Sequence, residues 1–266
     1  MTLQRRELYR YCPLQDVVLC QKISLGLFRS DYMIHADPLS PAGPAEIKQV
    51  EFNTISSSFG GLSSAVTKLH QYCASAGCLT CRYLLSIGAY GHKSPIMRSS
   101  LPDNPAVRKL AAGLAQAHNA YGNPVASILF IVQDPERNAF DQRSLEYHLL
   151  EDHTIQTTRL TLPQIAKSAQ LDKDRRLIVT AQGETSEISV VYFRAGYGPA
   201  DYPSKNEWNA RKLLELSRAI KCPTIITQLA GCKKIQQVLS TPGVLERYIS
   251  FEFITKVSQI HRRKSR

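Results

Sequence analysis

The chain has 266 residues, a formal net charge of +11, seven cysteines and an apolar fraction of 43%. With 21% charged residues against the ~25% of ordinary globular chains, these values exclude wholesale disorder, collagen-like repeats and low-complexity architecture, and predict a cytosolic chain of one or two domains. No apolar run approaches the ~18 residues that span a bilayer, and the N-terminus lacks the apolar stretch of a secretory signal, so no membrane is expected as a partner.

The first readable element is Ile47–Asn53, whose loose alternation after the Pro38–Pro44 turn cluster predicts a strand. Pro105 to Tyr121 predicts a helix, because Val107, Leu110, Ala111, Leu114 and Ala117 share one face, Pro105 suits a first turn and Gly122 a cap. Val125 to Val132 is a continuous apolar run whose length and β-branched content predict a strand covered on both faces, as in a parallel sheet. Helices are predicted over Phe140–Leu150 and Leu162–Gln170, and strands over Arg176–Ala181 and Glu187–Phe193 around a Gln182-Gly183-Glu184 turn. A helix over Asn206–Ile220, a short strand Pro223–Thr227 and a helix Lys233–Leu239 follow. This alternation argues for an α/β unit with a largely parallel sheet.

The cysteines are odd in number and scattered, which suits reduced thiols. Cys73-x4-Cys78-x2-Cys81 has the spacing of a plant-type ferredoxin cluster, with ordinary buried thiols as the commoner reading. The basic tail holds Lys256, Arg262, Arg263, Lys264 and Arg266 against Glu252. A solvated tail is the commoner reading of such a run, and no zinc-finger, RRM or basic-zipper signature accompanies it, so nucleic acid is not expected as a partner.

Three polar clusters fall at strand ends, where open α/β sheets present ligand groups. In the first, Glu51 and Asn53 are two apart on a strand and so share a face. They can offer oxygens to one hard cation such as Mg²⁺, while Ser56, Ser57, Ser58, Gly60 and Gly61 supply hydroxyls and close backbone approach to an anion. A solvent-facing polar edge ending in a turn is the plainer alternative. In the second, Asp134 or Asn138 can cap the next helix, but capping does not explain Arg137 together with Gln142, a guanidinium fork and an amide that suit a peptide carboxylate. In the third, Arg194 ends a strand and Gly196 permits a sharp exit, with Arg29-Ser30-Asp31-Tyr32 as a further candidate anion clamp.

The strings Arg29-Ser-Asp-Tyr-Met33, Glu51-x-Asn-Thr-Ile-Ser56 through Phe59-Gly60-Gly61, Glu136-Arg137-Asn138-x-Phe-Asp-Gln142, Tyr192-Phe-Arg-x-Gly-Tyr197 and Thr227-Gln-Leu-Ala-Gly-x-Lys-Lys234 resemble, in order, eukaryotic-type glutathione synthetase. The resemblance covers about residues 22–249. It implies an ATP-grasp ligase that joins γ-glutamylcysteine to glycine through an acyl phosphate, giving glutathione, with ATP as co-substrate and Mg²⁺ holding the phosphates. It also implies a Rossmann-like parallel-sheet substrate domain, a homodimer and a cytosolic location. On that basis Glu51 and Asn53 would hold Mg²⁺, and Glu51 and Lys233 would contact ATP. Arg29, Ile55, Ser56, Ser57, Ser58, Glu136, Arg137, Asn138, Gln142, Arg194, Ala195, Gly196 and Tyr197 would hold peptide substrate or product. The domains expected are a divergent segment 1–21, part of the ATP-binding region over 22–124, the α/β substrate-binding domain over 125–234, and the start of a C-terminal region with the basic tail over 235–266.

The family continues, as the resemblance implies, with a further Mg²⁺ carboxylate, phosphate-contacting lysines, a glycine-rich loop and an alanine-rich lid, none of which has a counterpart here. The chain therefore reads as truncated at both ends, with weak or no activity alone. The alternative is a non-catalytic peptide-binding or dimerising module of the same family.

Overall fold

The computed structural model describes residues 22–36, 43, 45–76 and 98–249. Segment 1–21, most of the Pro38–Pro44 turn, Cys78, Cys81 and the tail from 251 lie outside the described residues. Along the chain, Arg29–His35 (β1) and Glu46–Asn53 (β2) form an antiparallel ribbon, followed by Gly60–Ser75 (α1). Ala106–Tyr121 (α2), Ser127–Ile131 (β3), Ala139–His153 (α3), Thr157–Leu160 (β4) and Leu162–Ser168 (α4) lead to Ala169–Leu171 (β5), Leu177–Ala181 (β6) and Glu184–Phe193 (β7). Lys205–Leu216 (α5), Ile220–Cys222 (β8), Ile225–Ala230 (α6) and Lys233–Leu239 (α7) complete the main elements.

Among the described residues the larger sheet has six strands in the order β4-β3-β7-β6-β5, with β8 also paired to β7. Strand β3 lies between β4 and β7, parallel to both. The ten-residue β7 divides its other edge between two partners. Residues 184–188 take β6 antiparallel, and residues 190–192 take β8 parallel. The largely parallel sheet expected from sequence is thus a parallel core, β4-β3-β7-β8, extended by an antiparallel β5-β6-β7 meander. Its tight turn is made by Gln182 and Gly183, both left-handed (φ 53° and 84°), the backbone that joins two twisted strands in a two-residue hairpin.

Strand side chains alternate between two cores. Ile128, Phe130, Val190 and Tyr192 face α2 and α3, where Ala111, Leu114, Leu145 and Leu149 meet them. Leu129, Ile131, Val191 and Phe193 face α4 and α5, against Leu162, Ile165, Ala210 and Leu214. Every residue of β3 is buried, as the apolar run predicts. Helix α2 follows its expected face, with Gly122 left-handed (φ 87°) at its C-cap.

Several expected boundaries move. The strand expected from Val125 starts at Ser127, and Val125 is exposed. The helix expected to reach Gln170 ends at Ser168, because Ala169–Leu171 pairs with β6. The helix expected to reach Ile220 ends at Leu216; the buried Lys221 ammonium donates to the Ser217 and Ala219 carbonyls and closes the turn into β8. The strand expected over Pro223–Thr227 is a helix. Pro223 has no N–H for a ladder, and the Thr224 hydroxyl accepts from Thr227 N (3.2 Å), capping α6.

Candidate functional site

Strands β3 and β7 are parallel neighbours, so the clusters that follow them emerge at one end of the sheet; Arg194 N donates to Ile131 O across that end. The loop after β2 reaches the same place. Ser56 Oγ donates to Phe193 O (3.1 Å), and Ser57 Oγ donates to Asn53 O (3.2 Å). Thr54 is buried against Gly231, where an added Cβ would fall 2.0 Å from the threonine hydroxyl; the close approach requires that glycine.

These three segments enclose a cavity of about 700 Å³. Of the residues singled out in the sequence, Ser56, Ser58, Glu136, Arg137, Asn138, Gln142, Arg194 and Tyr197 line it. Phe59, Leu62, Gln133 and Pro135 line it too, which sequence reasoning did not single out. Glu136 accepts from Asn138 N (2.8 Å) and so shapes its own loop, whereas Asn138 stands at the start of α3 without a side-chain cap bond. Capping by Asp134 or Asn138, the plain reading of that motif, is therefore not what the cluster does. Gln142 is buried and accepts from Arg159 (2.8 Å), so one end of its amide is already committed. Arg137 is exposed and, among the described residues, has no ion-pair or hydrogen-bond partner. It also borders a second cavity, of about 610 Å³, lined by Asp134, Thr161, Gln164, Ala195 and Asp201.

Arg194 is almost fully buried. Its guanidinium donates to Ser57 O, to the Tyr192 hydroxyl (3.2 Å) and to Asp141 (3.5 Å), while Nε has no partner among the described residues. Burial pushes the Tyr192 hydroxyl pKa up, against the opposing pull of Arg194. Gly196 is left-handed (φ 87°) and lies against the Tyr202 hydroxyl and Arg211, so a side chain there would collide with both. Ala195 packs into the core and Ser57 is spent on backbone contacts, while Ile55 packs against the α4–α5 core.

Gly60 and Gly61 were expected to bring backbone close to an anionic ligand, and here the structure corrects the sequence. The anion at the start of α1 is the protein's own. The Asp141 carboxylate accepts from Phe59 N (2.9 Å), Gly61 N (2.8 Å) and Leu62 N (3.1 Å). The close approach permitted at Gly61 is to Ser144 and the Asp141 carbonyl. Ser56 and Phe59 both hold left-handed backbone (φ 52° and 71°). Each such residue costs on the order of 1–3 kcal/mol. A hydrogen bond to a charged group contributes about 1.5–3 kcal/mol, so the three amide bonds to Asp141 suffice to hold the loop.

A second polar group lies on the ribbon. Asp31 stands directly opposite Glu51 in the β1–β2 register, and Asn53 is on the same face. Arg29 grips Asp31 through Nε (2.7 Å) and Nη2 (2.9 Å), lies 3.7 Å from Glu51 and reaches Ser58 Oγ at 3.5 Å, linking this group to the cavity. Lys233, at the start of α7, contacts Glu51. The Arg29 guanidinium, helped by Lys233, holds the Asp31 carboxyl below the usual carboxylate range. The Asn53 amide nitrogen faces Glu51 (2.9 Å) and Asp31 (3.4 Å); turning the amide over presents its oxygen instead. Two carboxylates and an amide oxygen are donor types that suit a hard divalent cation, and here Arg29 and Lys233 neutralise the carboxylates. Sequence reasoning placed Asp31 in an anion clamp; its place opposite Glu51 follows from strand pairing.

Residues 126–230 match the family model for eukaryotic glutathione synthase. The chain is 46% identical over 228 residues to glutathione synthetase of Homo sapiens, covering 86% of this chain and 43% of that protein. It is 44% identical over 234 residues to glutathione synthetase of Dictyostelium discoideum, covering 86% and 46%. To the chloroplastic glutathione synthetase of Solanum lycopersicum it is 44% identical over 229 residues, covering 86% and 38%. The chain thus spans less than half the length of these curated relatives. Its fold matches a glutathione synthetase-like effector from Globodera pallida in the apo form, with a TM-score of 0.65 at 22% identity over 92% of this chain and 55% of that one.

Proposed function

Because the chain belongs to the eukaryotic glutathione synthase family, we propose that residues 125–234 are the peptide-substrate domain of an ATP-dependent ligase that joins γ-glutamylcysteine to glycine and releases glutathione. One observation carries this reading: side chains from three separate segments, spread along the chain from Ser56 to Tyr197, meet around a single cavity of about 700 Å³, a volume in the range of small-molecule sites. Arg137 brings an uncommitted guanidinium to it, and the Ser56 and Ser58 hydroxyls with the Gln142 amide supply the donors and acceptors of peptide recognition.

In this reading the cysteinyl carboxylate of the dipeptide takes a phosphoryl group from ATP, and the glycine amine then attacks the acyl carbon, forming the C–N bond and expelling phosphate. Arg29 reaches from the acidic group to the serine loop and orients the dipeptide; Lys233 offers its ammonium to ATP. Glu51 and Asn53, with Asp31 beside them, have the oxygen donors that suit Mg²⁺, and Glu51 would also contact ATP. When bound, the ion supplies charge neutralisation at the phosphate oxygens. A cytosolic location and a homodimer belong to the same proposal. Among the described residues no helix is long and apolar enough to cross a membrane.

Calorimetry with γ-glutamylcysteine and with glutathione tests binding; no heat at millimolar ligand would sink it. Release of ADP in the presence of both substrates and Mg²⁺ tests ligation. The polypeptide is expected to bind the dipeptide, and the rate of ADP release measures how far the transferring phosphoryl charge is stabilised. A second reading, a peptide-binding module without ligation, rests on the assembled cavity alone. Binding without any ADP release would select it.

A further inference from the structure

We propose that Asp141 is a positioning residue, an internal anion that fixes the 56–62 segment and the Arg194 guanidinium in the arrangement the cavity requires. Asp141 is buried on the first turn of α3, beside Gln142, and does not line the cavity. Its two oxygens divide their work. Oδ1 takes Gly61 N and Leu62 N, and Oδ2 takes Phe59 N and stands 3.5 Å from Arg194 Nη2. The first amides of a helix have no partner within the helix, and elsewhere water or a local cap serves them. Here a carboxylate from another helix, about eighty residues later in the chain, serves them away from solvent.

The same charge anchors the other wall. Arg194 joins Asp141 to Ser57 O, so the serine loop is held at one end by amides on Asp141 and in its middle by a guanidinium that Asp141 pairs with. Two non-glycine residues at those anchors hold left-handed backbone, Ser56 just before Ser57 and Phe59, whose own N–H is one of the anchoring amides, a conformation that persists only where its surroundings impose it. Ser56, Ser58, Phe59 and Leu62 line the cavity, so the loop's backbone sets where their side chains stand. An isosteric amide at position 141 would remove the charge and turn an N–H donor toward one of the groups now donating to it.

The effect on ligand affinity rests on the dipeptide reading above; the effect on the loop does not. The test therefore has two parts. In the ligand-free wild-type chain, amide hydrogen exchange at Phe59, Gly61 and Leu62 is expected to be slower by about a hundredfold or more than at the exposed first turn of α7, which has no side-chain cap. Exchange at the rate of an open helix end overturns the proposal without any variant. In Asp141→Asn, those three amides are expected to lose protection while the β3 amides keep theirs. Calorimetry with γ-glutamylcysteine, corrected for the folded fraction, is expected to show affinity at least about tenfold weaker. Leu149→Ala, destabilised elsewhere in the core, serves as the control and is expected to bind as wild type when folded. Equal affinity of folded Asp141→Asn and wild type overturns the positioning role at the site. If wild type itself gives no heat, the dipeptide reading fails and the exchange results alone decide the role of Asp141.

Discussion

The sheet body and the β1–β2 ribbon are held by different forces. In the body, β3 and the second half of β7 are buried on both faces, and the helices on either side supply apolar cover. In the ribbon, Tyr32, Met33, Ile34, Ile47 and Val50 are exposed, and among the described residues its ties lie at the end near Asn53. The ties there are Phe28 against Phe52, the Gln236 side chain bonded to both Phe52 N and Phe52 O, and the charged group around Asp31 and Glu51. A two-stranded ribbon needs such packing or anchoring to persist in water. Apolar burial gives the body a cooperative stability, whereas the ribbon hangs on a few polar contacts that can be cut one at a time.

The largest effect should come from the body. Leu149→Ala empties a fully buried position between α2 and the sheet, and a cost of ~2–5 kcal/mol is expected from chemical denaturation. Loss of ribbon and body in one transition is the expected outcome; a body that survived while the ribbon alone melted would contradict it. Gln236→Ala should do the reverse on a smaller scale. It removes two bonds to the Phe52 backbone, together ~1–3 kcal/mol, and should raise exchange at β2 amides while the β3 amides and the main transition stay in place.

Acid provides the smallest and most selective probe. Burial holds the His118 pKa below its ordinary value of ~6.5. The unfolded chain then binds the proton first, so the stability His118 contributes is complete above pH ~6.5 and declines as the pH falls through its lower folded-state value. Asp31, held low by Arg29, keeps its contribution until the pH drops through the acid carboxylate range. Melting curves should therefore weaken first as the pH falls below ~6.5, and His118→Asn should flatten that slope while leaving the further weakening in the acid carboxylate range unchanged.

The body was readable in the sequence because its signals are local. Five apolar residues on one face mark α2, and an unbroken apolar run marks β3. Strand β4 escaped notice because Thr157–Leu160 is short and mostly polar, its place fixed only by pairing with β3. Ile225 and Ile226 read as a strand until Thr224 is seen capping a helix. For the site, the residue types of the three clusters pointed to a cavity that the fold does assemble. Asp141 carried no such signal: it sits one place before Gln142 in the same string, and its amide partners lie 79 to 82 residues earlier. Nor could spacing show that Arg194 would spend its donors on the protein, since Ser57 and Asp141 reach it only through tertiary packing.

The divided edge of β7 has a practical consequence. The Gln182–Gly183 turn opens the strand and Arg194 follows its other end, ten residues of strand apart, or ~33 Å at the usual rise. A fluorophore or affinity handle grafted into that exposed turn would sit at the far pole from the ligand groups, borne by the antiparallel meander rather than by the parallel strands that carry the cavity. It offers a place to tether the protein to a surface or follow it by light with the binding end left facing solution.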